Sequence, residues 1–219
     1  MQWTDESIAF LRDAAAMNRY YETIAERIAP QLPENAHICD AGCGIGELSL
    51  ALKPYCHHVT AVDADALAIK TLKAHLIEGV TARCGDMETL APEKPYDAMV
   101  FCLFGRTQDT LRIAKKQCRG RIFLVKRDYS HHRFSAGKVS LGEYTAGSTE
   151  AVLHEKGIPY TVERFTAEFG QPFRSLEAAE RFFALSKRSE SEVLSKDEIR
   201  ASLNAGPSAA FTYYLPHKQ

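Results

Sequence analysis

Three glycines and a carboxylate stand together in "CDAGCGIGELSLAL", where a short apolar run gives way to a helical pattern. Asp40 ends the apolar run, and Gly42, Gly44 and Gly46 follow at alternate positions. Gly42 supplies backbone angles that other residues avoid, and Gly44 has no side chain to keep a ligand from the backbone. Gly46 opens a helix whose free N–H groups favour an anionic group. The stretch therefore predicts a nucleotide-like ligand at the end of a first strand.

Two more carboxylates close the next two predicted strands. Asp63 ends "HVTAVD", 23 residues after Asp40, at the position where an acid accepts hydrogen bonds from ribose hydroxyls. Asp86 follows the third strand in "CGDMETL", where it can accept a hydrogen bond from an adenine amino group, and Met87 can pack on the ring. Because the carboxyl ends of parallel strands meet at one edge, we expect the three acids to share that edge.

NAD is the second ligand that fits a glycine-rich turn. Its fingerprint, G-x-G-x-x-G, seats a pyrophosphate on the helix. In this chain Asp40 comes immediately before the turn, where it would repel a pyrophosphate and attract an α-amino cation. The sequence favours the cationic ligand.

The elements around these residues alternate between strand and helix from residue 36 to residue 128. Continuous apolar strands indicate burial on both faces, and the alternation predicts a doubly wound α/β fold with a mostly parallel sheet. We expect about seven strands, with "SAAFTYYLP" as an antiparallel edge, in a single domain spanning 1–219. Residues 1–35 form an N-terminal helical lid, 36–128 the ligand-binding core and 129–219 the substrate side.

The substrate side contains a polar, glycine-rich stretch at 129–148 with no clear period. Beyond it, "PYTVERFTAEF" alternates like a strand. Three predicted helices have serine N-caps: "STEAVLHEKGI" at Ser148, "SLEAAERFFALSKR" at Ser175 and "SKDEIRASLNAG" at Ser195.

Composition narrows the functional classes. The 219 residues have 27 Lys and Arg against 28 Asp and Glu, for a net charge of −1, which disfavours a nucleic-acid binder. Six cysteines without a C-x-x-C pair suggest reduced thiols and a cytoplasmic protein. We expect a monomer or a homodimer. We see no signal peptide and no apolar stretch of about 20 residues, so we expect no membrane association.

The motifs "CDAGCGIGELSLAL", "VDAD", "GDMETL" and "YDAMVFCLFG" resemble those of class I S-adenosylmethionine-dependent methyltransferases, small-molecule type. The resemblance covers residues 37–126. It implies that the methionine part lies at Asp40 and the glycine-rich turn, the ribose at Asp63, the adenine at Asp86 and Met87, and that Phe101 lines the methyl-donor cavity. "MNRYYETIA" resembles a lid helix in which a tyrosine closes over the cofactor. The resemblance implies these cofactor-binding residues: Tyr21, Asp40, Gly42, Cys43, Gly44, Gly46, Asp63, Ala64, Asp86, Met87 and Phe101.

Methyl transfer from a sulfonium is an in-line displacement in which the enzyme aligns the nucleophile and excludes water. His131 and His132, past the fifth strand, are the candidate bases, and no metal is expected. Candidate substrate residues are Tyr20, Phe104, Arg106 and Tyr129. The N-P-P-Y-like sequence of DNA and protein-amide methylating members is absent, since "FCLFGR" follows the fourth strand. A small-molecule acceptor is therefore expected; the alternative is a non-catalytic S-adenosylmethionine- or NAD-binding regulatory module.

Overall fold

The computed structural model describes residues 3–128, 141–167 and 169–185, together with the backbone of Thr212 and Tyr213. The predicted helix at Ser195 lies outside these residues. Tyr129, His131 and His132 also lie outside them.

Strands and helices alternate in the middle of the chain as the sequence predicts. The helices are α1 (Asp5–Met17), α2 (Tyr20–Ile28), α3 (Glu47–Leu52), α4 (Ala66–Lys73), α5 (Thr107–Gln117), α6 (Ala146–Glu155) and α7 (Leu176–Leu185). The strands are β1 (His37–Ala41), β2 (His58–Asp63), β3 (Val80–Cys84), β4 (Tyr96–Cys102), β5 (Cys118–Val125), β6 (Gln171–Pro172) and β7 (Thr212–Tyr213). Short 3₁₀ turns cover Ala29–Gln31, Lys53–Tyr55 and Gly142–Tyr144.

The first five strands form one sheet in the order β3-β2-β1-β4-β5, with every neighbouring pair parallel. The chain moves outward from β1 to β3 and then returns to place β4 on the other side of β1. This reversal makes a crevice at the carboxyl ends of β1 and β4, the usual ligand site of doubly wound sheets. The α/β class with a parallel sheet is confirmed.

The described strands differ from the expected sheet in number and at its edge. The main sheet has five described strands instead of about seven. The C-terminal strand β7 pairs antiparallel with β6 in a separate two-stranded sheet, so it does not extend the main sheet within the described residues.

Burial of the strands follows their position in the sheet. The three central strands are almost fully buried, as their continuous apolar runs predict. The outer strands β3 and β5 expose several residues, so the expectation of burial on both faces is wrong for them. An outer strand has only one neighbouring strand to cover it. In β5 one exposed stretch is also poor in apolar side chains, since it consists of Arg119, Gly120 and Arg121.

The chain divides into two compact units, each with its own core. The first unit contains the five-stranded sheet and the helices α3 to α6. Cys39, Val62, Met99 and Phe101 of its sheet pack with Ile113 of α5. This core fixes the ends of the strands that carry the predicted site residues.

The second unit contains α1, α7 and the small sheet of β6 and β7. Its core is a phenylalanine cluster in which Phe10 of α1 meets Phe173 and Phe182 edge to face, at ring-centroid distances of 6.1 and 5.3 Å. The buried Asn18 donates to the carbonyls of Ala14 and Gly170. Asn18 is also the C-cap of α1, so the N-terminal region contains two separate helices, α1 and α2.

One carboxylate joins three strands at the amino edge of the main sheet. Asp97 of β4 accepts the backbone N–H of His37 on β1 at 2.9 Å and pairs with Arg119 of β5. These contacts hold the pKa of Asp97 below its usual value, chiefly through the hydrogen bond from His37. Gly120 of β5 lies against the backbone of Asp97. A Cβ at Gly120 would be 1.9 Å from the Asp97 carbonyl oxygen, so the position has no room for a side chain.

Two local predictions after the sheet need correction. The N-cap of α6 is Thr145; Ser148 is the third helical residue of a capping box in which Thr145 and Ser148 bond each other's backbone N–H. The helix therefore begins inside the stretch predicted to lack periodicity. The described residues of the predicted strand at 159–169 do not form one, because no described strand pairs with them, and Tyr160, Val162 and Phe165 are exposed. The cap of α7 at Ser175 is supported by its hydroxyl oxygen, which accepts the Ala178 N–H at 3.2 Å.

Candidate active site

The glycine-rich turn follows β1 and adopts the backbone that its sequence predicts. Gly42, Gly44 and Gly46 have φ values of +73°, +55° and +90°, all in the left-handed region that favours glycine. The N–H groups of Gly42 and Cys43 both donate to the Val62 carbonyl of β2, at 2.8 and 3.0 Å. The turn is therefore folded back against the end of the neighbouring strand.

Two aromatic rings lie directly against the turn. A Cβ on Gly42 would come within 2.0 Å of the Phe104 ring, and a Cβ on Gly44 within 2.7 Å of the Trp3 ring. Phe104 also stacks on Phe101, with ring centroids 6.3 Å apart and planes 19° from parallel. The Cβ positions of Gly42 and Gly44 are therefore covered by aromatic rings.

Asp63 ties the glycine-rich turn to the loop after β2. One carboxylate oxygen accepts the Gly44 N–H at 2.8 Å, and the other accepts the Asp65 N–H at 2.9 Å. A carboxylate has about four acceptor positions, so both oxygens retain capacity for ribose hydroxyls. Asp65 in turn caps α4 through the N–H groups of Leu67 and Ala68 and accepts the Trp3 N–H at 3.1 Å.

Asp40 is a buried acid at the end of β1, 1% exposed. Its carboxylate accepts a 2.6 Å hydrogen bond from the Ser49 hydroxyl of α3. Burial raises the pKa of Asp40 to about 6, and the charge of Asp63 acts in the same direction, whereas the Ser49 bond opposes them. A cationic group bound beside Asp40 would compensate this isolated negative charge.

The predicted adenine residues follow β3. Asp86 is exposed, and its carboxylate accepts the Glu88 N–H at 2.9 Å in a tight turn. Met87 is 3% exposed and packs in the core with Phe101, while its carbonyl accepts a 2.6 Å bond from the Gln117 amide. The Gly85 N–H donates to the Asp63 carbonyl, which brings the ends of β2 and β3 together.

The remaining predicted cofactor residues differ in exposure. Cys43 is half-buried within the turn, where burial raises the pKa of its thiol far above the usual range. Ala64 is exposed beside Asp63. Tyr21 is half-buried on α2, and its role against the cofactor stays a prediction.

The predicted substrate residues lie partly at the carboxyl end of β4. Phe104 is half-buried in the turn after that strand, and exposed Arg106 precedes α5 and pairs with Glu143 at 3.4 Å. Tyr20 packs edge to face on Phe169, 5.0 Å between ring centroids, in the second unit. Among the described residues, no cluster of three or more histidine, cysteine or acidic side chains suits a metal ion.

Sequence reasoning missed two residues of this region, Trp3 and Lys126. Trp3 belongs to the N-terminal segment, and its contact with Gly44 joins positions remote in sequence. Lys126 follows β5, and its ammonium donates to the carbonyls of Phe104 and Gly105 at 3.0 and 2.8 Å. The one available signal for Lys126 was its place at the carboxyl end of a parallel strand, the edge where ligands bind.

The site fits a cofactor with a cationic amino group and a nucleoside. Gly42 and Gly44 have no room for a side chain, and the buried acid Asp40 lies beside them. The carboxylate of Asp63 keeps free acceptor positions. These features match the donor and acceptor needs of S-adenosylmethionine.

Comparison with protein families agrees with this geometry. Residues 38–120 match the model of a methyltransferase domain, a segment that runs from β1 into β5. The segment from residue 38 to residue 120 is thus similar to an enzyme domain that transfers methyl groups, and the residues of the site fit S-adenosylmethionine as its cofactor. No curated protein matches the chain.

Solved structures share the fold at low sequence identity. The YcgJ protein from Bacillus subtilis is 16% identical with a TM-score of 0.56, over 86% of this chain and 85% of that one. A coclaurine N-methyltransferase bound to N-methylheliamine and SAH is 16% identical with a TM-score of 0.51, over 82% and 63%. A TehB-like SAM-dependent methyltransferase from Corynebacterium glutamicum is 22% identical with a TM-score of 0.49, over 68% and 81%. Within the described residues, no helix is long and apolar enough to cross a bilayer.

Proposed function

We propose that the chain transfers the methyl group of S-adenosylmethionine to a small-molecule acceptor. The observation that carries the proposal is the convergence of Asp40, Asp63 and the glycine-rich turn at the carboxyl ends of β1 and β2. When bound, the cofactor supplies an electrophilic methyl group on a sulfonium. The residues of this chain would hold it and orient the acceptor for in-line displacement.

Each part of the cofactor has a proposed partner. Asp40 and the turn from Gly42 to Gly46 would hold the methionine part, because the buried carboxylate complements an amino cation. Asp63 would accept the ribose hydroxyls with the lone pairs that Gly44 and Asp65 leave free. Asp86 and Met87 would hold the adenine.

A small acceptor is supported by the segment after β4. The sequence "FCLFGR" places a half-buried phenylalanine where nucleobase- and amide-methylating enzymes have a polar N-P-P-Y-like segment. The net charge of −1 gives no general attraction for nucleic acid. Phe104 and Arg106 would contact an acceptor that combines an apolar body with a carboxylate or phosphate.

The catalytic base and the lid are further parts of the proposal. His131 or His132 would take the acceptor proton when the nucleophile is an amine or hydroxyl. Tyr21 would close over the cofactor, and Tyr20 and Tyr129 would contact the acceptor. His131→Ala and His132→Ala should then lower turnover much more than they weaken binding of S-adenosylhomocysteine.

Two measurements test the proposal. Calorimetry should give micromolar binding of S-adenosylhomocysteine, and tighter binding of NAD would contradict the cofactor assignment. Incubation with methyl-labelled S-adenosylmethionine and a size-fractionated cell extract should label the small-molecule fraction. Label found only in protein or RNA would contradict the acceptor class, and cofactor binding without any labelling would favour a regulatory module.

A further inference from the structure

Lys126 is a cation at the carboxyl edge of the sheet that has no carboxylate partner among the described residues. It comes directly after β5, and its side chain is half-buried. Two of its three N–H groups donate to the carbonyls of Phe104 and Gly105. Among the residues that the structure describes, no acid lies within ion-pair distance of it. An uncompensated charge of this kind costs free energy, so its place needs a reason beyond general packing.

The turn that Lys126 contacts has an unfavourable backbone. Leu103 has φ +53° without being glycine, and Gly105 has φ +62°. The left-handed region is unfavourable for a residue that has a Cβ, so Leu103 is strained. The Leu103 N–H donates to the Val125 carbonyl, and Arg106 gives α5 no side-chain cap. The two bonds from Lys126 thus add an anchor between β5 and a strained turn.

The turn 103–106 also carries Phe104, whose ring lies against the glycine-rich turn. Phe104 is confined between Gly42 on one side and Phe101, which is fully buried, on the other. Since Lys126 bonds the Phe104 carbonyl, the position of its ammonium and the position of the ring are coupled through a single residue.

We propose that Lys126 is a positioning residue: its protonated amine holds the turn 103–106, and with it the Phe104 ring, against the glycine-rich turn, in the arrangement that binds the cofactor. The inference rests on the proposed function, because it assigns cofactor binding to that turn.

The proton on Lys126 is lost at mildly alkaline pH. Burial lowers the pKa of Lys126 to about 8, and the charge of the adjacent Arg127 acts in the same direction. Cys102 of β4 is the other titratable group beside it, and burial raises the pKa of that thiol to about 12. The thiol therefore stays neutral while the amine titrates, so of these two groups Lys126 is the one that changes charge between pH 7 and pH 10.

Two variants separate the donors from the charge change. Lys126→Met keeps the length of the side chain and removes every donor. Lys126→Arg keeps a cation with several donors, and it does not lose its proton in this range. Affinity for S-adenosylhomocysteine is measured by calorimetry at pH 7.0 and pH 9.5 for the three proteins, with their melting temperatures. Amide exchange of the peptide 103–107 is followed without ligand.

At pH 7.0, Lys126→Met should bind about tenfold more weakly and exchange faster at 103–107, while Lys126→Arg should match the wild type. The tenfold change corresponds to the loss of about one charged hydrogen bond. Between pH 7.0 and 9.5 the affinity of the wild type should fall several-fold relative to that of Lys126→Arg. This ratio cancels the titration of the ligand itself.

Equal affinity and equal exchange in Lys126→Met and the wild type would overturn the inference. A ratio of wild type to Lys126→Arg that does not change with pH would also overturn it, and this comparison decides the matter if Lys126→Met fails to fold. Wild-type protein that binds no S-adenosylhomocysteine at pH 7.0 overturns the proposed function together with the inference. Normal wild-type binding with an indifferent Lys126 overturns the inference alone.

Discussion

Asp63 serves the site in two ways at the scale of a single residue. Its carboxylate organises the backbone by accepting N–H groups from the glycine-rich turn and from the loop after β2. The same oxygens keep free lone pairs for a ribose. The ribose role follows from the position of Asp63 at a strand end, whereas its backbone bonds are visible only in the structure.

Replacing Asp63 by Ala should weaken binding of S-adenosylhomocysteine by about 2–3 kcal/mol, because two hydrogen bonds to a charged acceptor are lost. The fold should survive, since the residue lies at the end of a strand. Calorimetry measures the change. Asp109→Ala, which removes an exposed acid paired with Arg112 on α5, is the matched control and should bind normally. Unchanged affinity in Asp63→Ala would place the ribose elsewhere.

The glycine-rich turn is the element on which the site depends, and its glycines have two separate roles. Positive φ excludes most residues, and the adjacent rings of Phe104 and Trp3 exclude any side chain at Gly42 and Gly44. The first role follows from the sequence pattern, while the second depends on residues distant along the chain.

Gly42→Ala should lower the free energy of unfolding by more than the cost of the backbone angle, which is about 1–2 kcal/mol. The excess arises because the new methyl group must displace Phe104. Gly157→Ala is the control, since Gly157 has φ +62° with open space around its Cβ position. Urea unfolding of both variants isolates the packing contribution. Equal losses in the two variants would argue against the close approach of Phe104.

The N-terminal segment provides an optical signal for the same element. Trp3 is the one tryptophan in the chain, and its ring lies on Gly44. Binding of S-adenosylhomocysteine at the turn should change the environment of the indole and hence its emission. A titration followed by fluorescence should give the calorimetric affinity, and Trp3→Phe should remove the signal. Emission that stays constant during calorimetrically verified binding would show that the ligand avoids Trp3.

Elements outside the sheet show where sequence patterns fail. Both Thr145 and Ser148 are good N-caps, and only the reciprocal bonds in the structure identify Thr145 as the cap. Residues 159–169 alternate in the manner of a strand, but a strand also needs a partner, which a local pattern cannot supply. The parallel sheet could be predicted because apolar runs and turn glycines are local signals. The packing of Trp3 and the bonds of Lys126 could not, because they depend on tertiary contacts.

At the scale of the whole molecule, the buried carboxylate of Asp40 makes the free energy of unfolding depend on pH. The pKa of Asp40 is raised from 3.8 to about 6 by folding, so the native state binds more protons than the unfolded state between these values. The contribution of Asp40 to the free energy of unfolding therefore falls as pH rises from about 4 to about 6. The decline is on the order of 2–3 kcal/mol.

Asp40→Asn should remove this decline, because an amide does not titrate and can still accept the Ser49 hydroxyl. Urea unfolding of both proteins from pH 4.5 to pH 7 measures the difference. The lowered pKa values of His37 and His58 affect both proteins equally and cancel. Asp40→Asn should also bind S-adenosylhomocysteine more weakly at pH 7 than the wild type. A difference in stability that is constant with pH would contradict the raised pKa.

The position of Asp97 bears on which residues of the chain can change during evolution without loss of the fold. The carboxylate of Asp97 joins β1, β4 and β5 at the amino edge, whereas Asp40 and Asp63 lie at the carboxyl ends of β1 and β2. The contacts of Asp97 and the proposed ligand-binding acids therefore lie at opposite ends of one sheet, so a substitution at an exposed carboxyl-edge residue such as Asp86 leaves the contacts of Asp97 intact. A mutational scan that selects only for protein abundance should reject substitutions at Asp97 and tolerate them at Asp86. Substitutions that change the preferred acceptor can then accumulate at the carboxyl edge, while the contacts of Asp97 at the amino edge keep the chain folded.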